Sequence, residues 1–498
     1  MALRRRDVLG SGLAVLAGHA VARVGHAQER SPGAARGAEA GSTEGGTYGA
    51  AATGLDITRT LARFLSRMSY DDLSPAAVHE AKRAVLDWVG CALAGSTHPT
   101  THRLLATFDE LGSSPDATVF GQQRRRLSLL DASVANGQMG HVLDFDDTHL
   151  GGTILHTSTA TLPALFALGE RRGSSGRDLI VAFAAAFEAG IRVGQAAPDH
   201  HPGGWHLTGT LGTLAAAAGS ARLMRLDAQQ TTYALGIAGS QAAGMQQNRG
   251  TDCKSLQAGQ AAYHGVLAAT LASNGFNSST EIIEGRVGFT KIYSASQRND
   301  LVLAGLGERW MITGNGYKPY ACGVVLHPLI DAAIAVSRKT PVSVSDIARV
   351  EVLVHPGVIR ITGVDSPESA LMAKFSANHA AAVAFIDQAA GIAQFSDDRL
   401  TDGAVQALRR RVTIAADPSF RLDQSAATVW TESGATYEAQ IEHATGTTAN
   451  PLTDDALRAK FLGNAVPIVG ADRAQGLIET IGTIDTLGDV GELVRACA

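Results

Sequence analysis

Six segments between positions 132 and 274 are apolar around most of their circumference and rich in Ala and Gly. They run 132–143, 159–170, 178–197, 209–223, 231–246 and 256–274. Helices built from small residues approach closely and bury more than one face, so this run predicts a stack of hairpinned helices. The segment 209–223 is small or apolar at nearly every position, as a helix surrounded by others would be. No strand pattern alternates with these segments, which disfavours a doubly wound α/β sheet. With 55 Gly and only 5% aromatic residues, the chain also composes poorly as a β-sandwich.

The flanking sequence extends this reading. Ile57, Leu61, Phe64, Leu65 and Met68 recur at helical spacing. Ser74-Pro75 opens a second helix, with Pro at its permissive first position and an apolar face from Val78 to Val89. After Gly314 the pattern changes. Positions 349–354 alternate, and 411–415, 428–431 and 437–441 are further short strand candidates, the last two joined by a Glu432-Ser433-Gly434 turn. Helical stretches at 326–337 and 376–389 intervene, and 454–487 returns to helical periodicity. The fold class expected is mainly α with an inserted α+β domain: a helical domain from 55–313 and 449–498, and an α+β unit over 314–448.

The first residues are expected to be an address rather than structure. Arg4-Arg5-Arg6 precedes a short apolar run that ends at Gly25-His26-Ala27. This resembles a twin-arginine-type signal peptide over 1–27, with a flexible linker over 28–54. The chain is therefore expected to engage the twin-arginine export machinery and reach the periplasm, a membrane-anchored form being the less favoured alternative. A net charge of −5, or −8 without residues 1–27, provides no basic surface for nucleic acid. Cys91, Cys253, Cys322 and Cys497 form no C-x-x-C pair, so neither a zinc ribbon nor a local iron–sulfur loop is expected.

Four separated spots carry candidate chemistry. The stretch at 136–163 holds Asp144, Asp146, Asp147, His149 and His156 among glycines and apolar residues. Carboxylates at this density need partners, a metal or solvent. His206 stands at the start of the small-residue helix, and Lys254 leads into an Ala/Gly-rich one. Lys318 lies at the expected domain boundary, where ligand sites concentrate. His200-His201 reads as an exposed loop, since adjacent histidines rarely face one site. No Walker A, dinucleotide fingerprint or G-x-S-x-G elbow is present.

In order along the chain, LDWVGCALAG, HVLDFDDTH, HTSTATLPALFALGE, GWHLTGTLGT, KSLQAGQAA, Glu284-Gly285 with Gly288-Phe289, YKPYACG and AKFSANHAAA resemble the MmgE/PrpD family. That family includes 2-methylcitrate dehydratases, cis-aconitate decarboxylases and iminodisuccinate epimerases. The resemblance implies a helical domain plus an α+β lid, with the site between them, in a homodimer. Its motifs carry over Asp144, His156, His206 and Lys318 as catalytic residues. They also carry over Thr148 and Lys254 as substrate-binding residues. His379 is placed among the substrate-binding residues too, where related decarboxylases have tyrosine. Gln257 stands where many relatives have histidine. Asp146, Asp147 and His149 are expected mainly to shape the loop.

The chemistry expected is metal-independent and cofactor-free, on a small di- or tricarboxylate. Two lysines bind the acid and stabilise charge developing on its oxygens. Two histidines divide the general acid and base roles. The main expectation is a dehydratase of a 2-methylcitrate-like acid. The alternatives are an epimerase of an iminodisuccinate-like dicarboxylate, a decarboxylase of a cis-aconitate-like acid, and a non-catalytic polycarboxylate-binding protein.

Overall fold

The computed structural model describes residues 56–341 and 343–498. The signal and linker read at 1–27 and 28–54 lie outside the described residues.

Helix α1 (Ile57–Arg67) turns Ile57, Leu61, Ala62 and Leu65 into the core. Its free first-turn amides are met by Glu284, whose Oε1 accepts from Ile57 N at 2.9 Å and Thr58 N at 3.1 Å. The Glu284-Gly285 motif is thus a helix cap reached from 226 residues away. Helix α2 (Pro75–Gly95) starts where Ser74-Pro75 predicts, with the Ser74 hydroxyl accepting from Ala77 N. Helix α3 (Pro99–Leu111) has a narrow buried face that the periodicity reading passed over. A short hairpin, β1 (Ala117–Thr118) with β2 (Arg126–Leu127), leads into α4 (Leu129–Val142).

The small-residue helices then follow: α5 (Thr157–Arg172), α6 (Gly176–Ala196), α7 (Leu207–Leu223), α8 (Ala228–Gly239) and α9 (Asp252–Ser273). Helix α7 packs on α5, α6, α8 and α9, and every residue but Arg222 is buried. Helix α8 stops at Gly239, short of the expected 246. Residues beyond it fold back beside the start of α7, where Gly244 O accepts from His206 N at 3.2 Å. Gly244 has a φ of 154°, which a side chain rarely adopts. Helices α4 and α9 touch backbone to backbone: a Cβ on Gly259 would sit 2.3 Å from Val134 O.

Strand β3 (Thr148–His149) pairs with β4 (Asn315–Gly316), placing Thr148 opposite Gly316. After the short helix α10 (Phe289–Tyr293) and β4, the chain enters its α+β part. This comprises α11 (His327–Lys339), β5 (Ile347–Val354), α12 (Pro356–Thr362), α13 (Ala370–Ala373), α14 (Ala377–Asp387), α15 (Asp397–Thr401), α16 (Gly403–Arg409), β6 (Val412–Ala416), β7 (Ser425–Thr431) and β8 (Thr436–Ile441). The sheet order is β6-β5-β7-β8, parallel between β5 and β6 and antiparallel elsewhere. Alternate residues of β7 are buried, and α11 covers that sheet. The chain then returns through α17 (Asp454–Val469), α18 (Ala471–Gly482) and α19 (Gly491–Ala496). Two apolar cores result. One joins residues between Ile57 and Tyr317 to those between Leu457 and Cys497. The other gathers Ala321 to Ala439 with Cys91, Val142, Leu143 and Phe145.

Candidate active site

The residues predicted from separate segments meet where the end of α4 faces the starts of α5, α7 and α9. Asp144 follows α4 with a φ of 50°, a left-handed turn that an Asp tolerates. That turn points its carboxylate at two ammonium groups. Lys254 Nζ, from the first turn of α9, lies 3.1 Å from Oδ2. Lys318 Nζ contacts Oδ1 and donates to the Asp144 carbonyl at 3.1 Å. Burial alone would raise the Asp144 carboxyl, but Lys254 and Lys318 outweigh it and hold the group well below the usual carboxylate range. Burial lowers Lys254, whereas for Lys318 the attraction of Asp144 overcomes burial and raises it.

Asp146 is fully buried, and sequence reading undervalued it. Its oxygens lie 2.9 and 3.0 Å from His141 Nδ1, and Oδ2 lies 3.3 Å from His156 Nδ1. The two histidines oppose the effect of burial and keep this carboxyl well below its ordinary range. Rather than merely shaping the loop, Asp146 is the shared anionic partner of two rings. His156 Nδ1 also meets the Asp147 carbonyl at 3.0 Å and Thr148 Oγ1 at 3.1 Å. Asp146 and the carbonyl only accept, so Nδ1 carries the proton and Nε2 is the free ring nitrogen. The His141 ring lies edge-on to His156 and stacked against His206, with centroids 4.7 and 5.6 Å away. Burial pushes His141 down to about 4.

His206 donates from Nδ1 to Gln257 Oε1 at 2.6 Å. Burial, then Lys254, keeps it well below the usual histidine range, so the ring is neutral near pH 7. Gln257 therefore sets its tautomer. Asp147 and His149 do shape the loop. Asp147 Oδ2 accepts from Ser158 and Asn315, each at 2.6 Å, while His149 Nε2 meets Met311 O at 3.0 Å.

His379 is not brought to this cluster: its Nε2 meets Gln394 O at 3.0 Å and its ring lies beside Phe395, because α14 turns that face into the lid core. His200 is not exposed; it is buried against Tyr293 and Phe289, with Nε2 at 3.0 Å from Thr210 Oγ1. His201 lines the cavity with Asp144, His156, His206, Arg249 and Lys254. Sequence reading also passed over Arg249 and Lys374. Buried Lys374 donates to Ala321 O at 2.7 Å, and burial lowers it to about 8. Arg249 lies in a segment without a recognisable motif, whereas Lys374 lies within AKFSANHAAA, where His379 drew the attention instead.

The cavity, about 60 Å³, is apolar along Ile154, Val324, Val325 and Phe375 and cationic opposite. His141, Asp146 and His156 also offer three ligand atoms within 4.8 Å, a donor set for a divalent ion. Hydrogen bonds already join the three, and the nearby ammonium groups repel a cation. The cavity thus sets ammonium and guanidinium groups beside imidazole rings, an arrangement that can hold an anion and exchange a proton.

Comparison with known proteins identifies the family. Residues 59–301 match the MmgE/PrpD N-terminal domain and residues 320–486 the C-terminal domain. A cis-aconitate decarboxylase-like protein of Aspergillus oryzae is 28% identical over 469 residues, covering 88% of this chain and 96% of the relative. The cis-aconitate decarboxylase of Homo sapiens is 28% identical, covering 88% and 93%. That of Aspergillus terreus is 27% identical, covering 88% and 95%.

Proposed function

The chain belongs to the MmgE/PrpD family, and from that premise we propose that it is a carboxy-lyase removing CO₂ from a cis-aconitate-like tricarboxylate. The observation that carries this reading is the pairing of one proton-handling histidine, His156 backed by Asp146, with a cavity whose cations outnumber its free carboxylates. Relatives named for cis-aconitate decarboxylation support it over the dehydratase expected from sequence. The tyrosine-to-histidine difference at His379 does not weigh against it, because that ring lies outside the cavity.

In such an acid the departing carboxylate sits on a carbon next to a C=C bond. Its C–C bond breaks, and the electron pair forms a new C=C bond. The former π pair takes a proton at the far alkene carbon. CO₂ and an unsaturated dicarboxylate leave. Charge builds transiently on the carboxylate conjugated with the protonated carbon, where Lys254 and Lys318 stabilise it. A protonated His156 delivers the proton from Nε2, its charge offset by Asp146 at 3.3 Å, and regains it from water. Neutral His206 orients the acid. Ile154, Val324 and Val325 offer an apolar wall to the uncharged CO₂.

Purified full-length protein in deuterated water tests this with cis-aconitate and 2-methylcitrate as substrates. CO₂ release from cis-aconitate with one deuterium in the product is expected. His156→Ala should lower kcat by about 10²–10⁴-fold. Dehydration of 2-methylcitrate without CO₂ release from cis-aconitate would overturn the decarboxylase reading.

A further inference from the structure

A second cavity shares a wall with the charged one. Ile154, Val324 and Val325 line the charged cavity on one side and the second, of about 410 Å³, on the other. The two adjoin at the Thr148–His156 contact. Thr148 lines the large cavity, His156 the small one, and 3.1 Å separates Thr148 Oγ1 from His156 Nδ1. Lys318, held by Asp144, also lines the large cavity at this junction.

Away from the junction the character changes. Leu150, Pro328, Leu422, Ala444 and Ala449 give it apolar walls, while Thr445, Thr447, Thr448 and Asp423, with the exposed Arg421 and His443, make up its polar lining. His327, a buried lining residue, is held neutral, since burial and then Lys318 lower it to about 3. A second polycarboxylate finds few counter-charges among these walls. A tricarboxylate head in the small cavity leaves this larger space without a partner, and an apolar wall gains most from an apolar occupant.

We propose that the large cavity receives a hydrocarbon substituent, so that the preferred substrate is a polycarboxylate bearing an alkyl tail. This rests on the polycarboxylate reading of the adjoining cavity. The head is held by Lys254, Lys318 and Arg249. The tail runs between Ile154 and Val325 toward Leu422 and Ala449. Unsubstituted cis-aconitate uses only the head site.

Calorimetric titration of the full-length protein with 2-alkylsuccinates from methyl to hexyl tests the tail site. Each methylene buried should tighten Kd about fourfold, through at least the butyl homologue. A flat or rising series overturns the proposal. Leu422→Asp and Ala449→Trp alter the tail walls at exposed positions. Each should reduce the hexyl-over-methyl preference at least tenfold. An unchanged preference in both variants, or equal losses for methyl and hexyl as a blocked passage would cause, overturns it. A chain-length dependence without CO₂ release from cis-aconitate keeps the tail site and removes the decarboxylase. CO₂ release with a flat series does the reverse. No binding by any of these acids overturns both.

Discussion

At the scale of single residues, the site is a set of charges arranged so that each controls its neighbour. Asp146 faces two imidazoles and takes part in no other ion pair among the described residues. Asp146→Asn keeps the shape but removes the negative charge behind His156. Its kcat should fall about 10²–10⁴-fold with little change in KM, measured under steady-state conditions. An equal rise in KM alone would show that Asp146 serves binding. Lys374 makes a different contribution. Burial, with Lys318 and Lys254 acting in the same direction against Asp144 and Cys322, lowers its ammonium from 10.5 to about 8. The folded state therefore binds fewer protons than the unfolded chain between those values, so burial of Lys374 costs stability below pH 8 and that cost fades as pH rises. Over the same window the site loses one positive charge. KM for a polycarboxylate should then rise above pH 8, and Lys374→Met should flatten that limb of the KM profile.

At the scale of elements, glycine decides how near the site's two main carriers come. Helix α4 brings His141 and Asp144, and α9 brings Lys254. Their contact requires Gly259, where a Cβ would meet Val134 O at 2.3 Å, a backbone atom that cannot swing aside. Gly259→Ala should destabilise the fold by about 1–3 kcal/mol and, by moving Lys254 away from Asp144, raise KM. Gly476 in α18 has open space around it. Gly476→Ala should stabilise by about 0.5–1 kcal/mol through the reduced freedom of the unfolded chain. Denaturant midpoints of both variants check the opposite signs.

At the scale of the molecule, the site depends on the chain's return. Lys460 of α17 donates to Asp87 and to the Phe145 carbonyl, each at 2.6 Å, next to the Asp144–Asp147 turn. Leu457, Phe461, Leu477, Ile481 and Leu493 complete the larger core. Truncation at residue 449 exposes that core and leaves Asp87 buried without its cation. The truncated chain should lose its cooperative thermal transition, followed by circular dichroism, rather than leave a folded helical remainder. A sharp transition in the truncated chain would show that the return helices are dispensable.

Much of this was legible without coordinates. Helical periodicity, the Ser74-Pro75 start and the alternation at 349–354 are local patterns, and local backbone physics reads them directly. The helix-dominated fold, its α+β portion and the four charged spots followed from the chain alone. The failures share one cause. Composition allows the 231–246 segment to stay helical, yet Gly244 and the pairing with 204–206 turn the chain back. His379 sits in a motif, but its ring direction depends on what α14 packs against. Asp144 meets Lys318 across 174 residues and Lys374 meets Ala321 across 53, while Asp146 takes its role from His141 and His156, nearer in sequence but brought to it by the turn that follows α4. The chain's pattern determined which residue types were available and which helices would carry them. Tertiary packing decided which carboxylate meets which partner, because the Asp144–Lys254 and Asp144–Lys318 pairings turn on close approaches between segments far apart in sequence, and the Asp146–His141 and Asp146–His156 pairings on a turn whose course no local pattern gives.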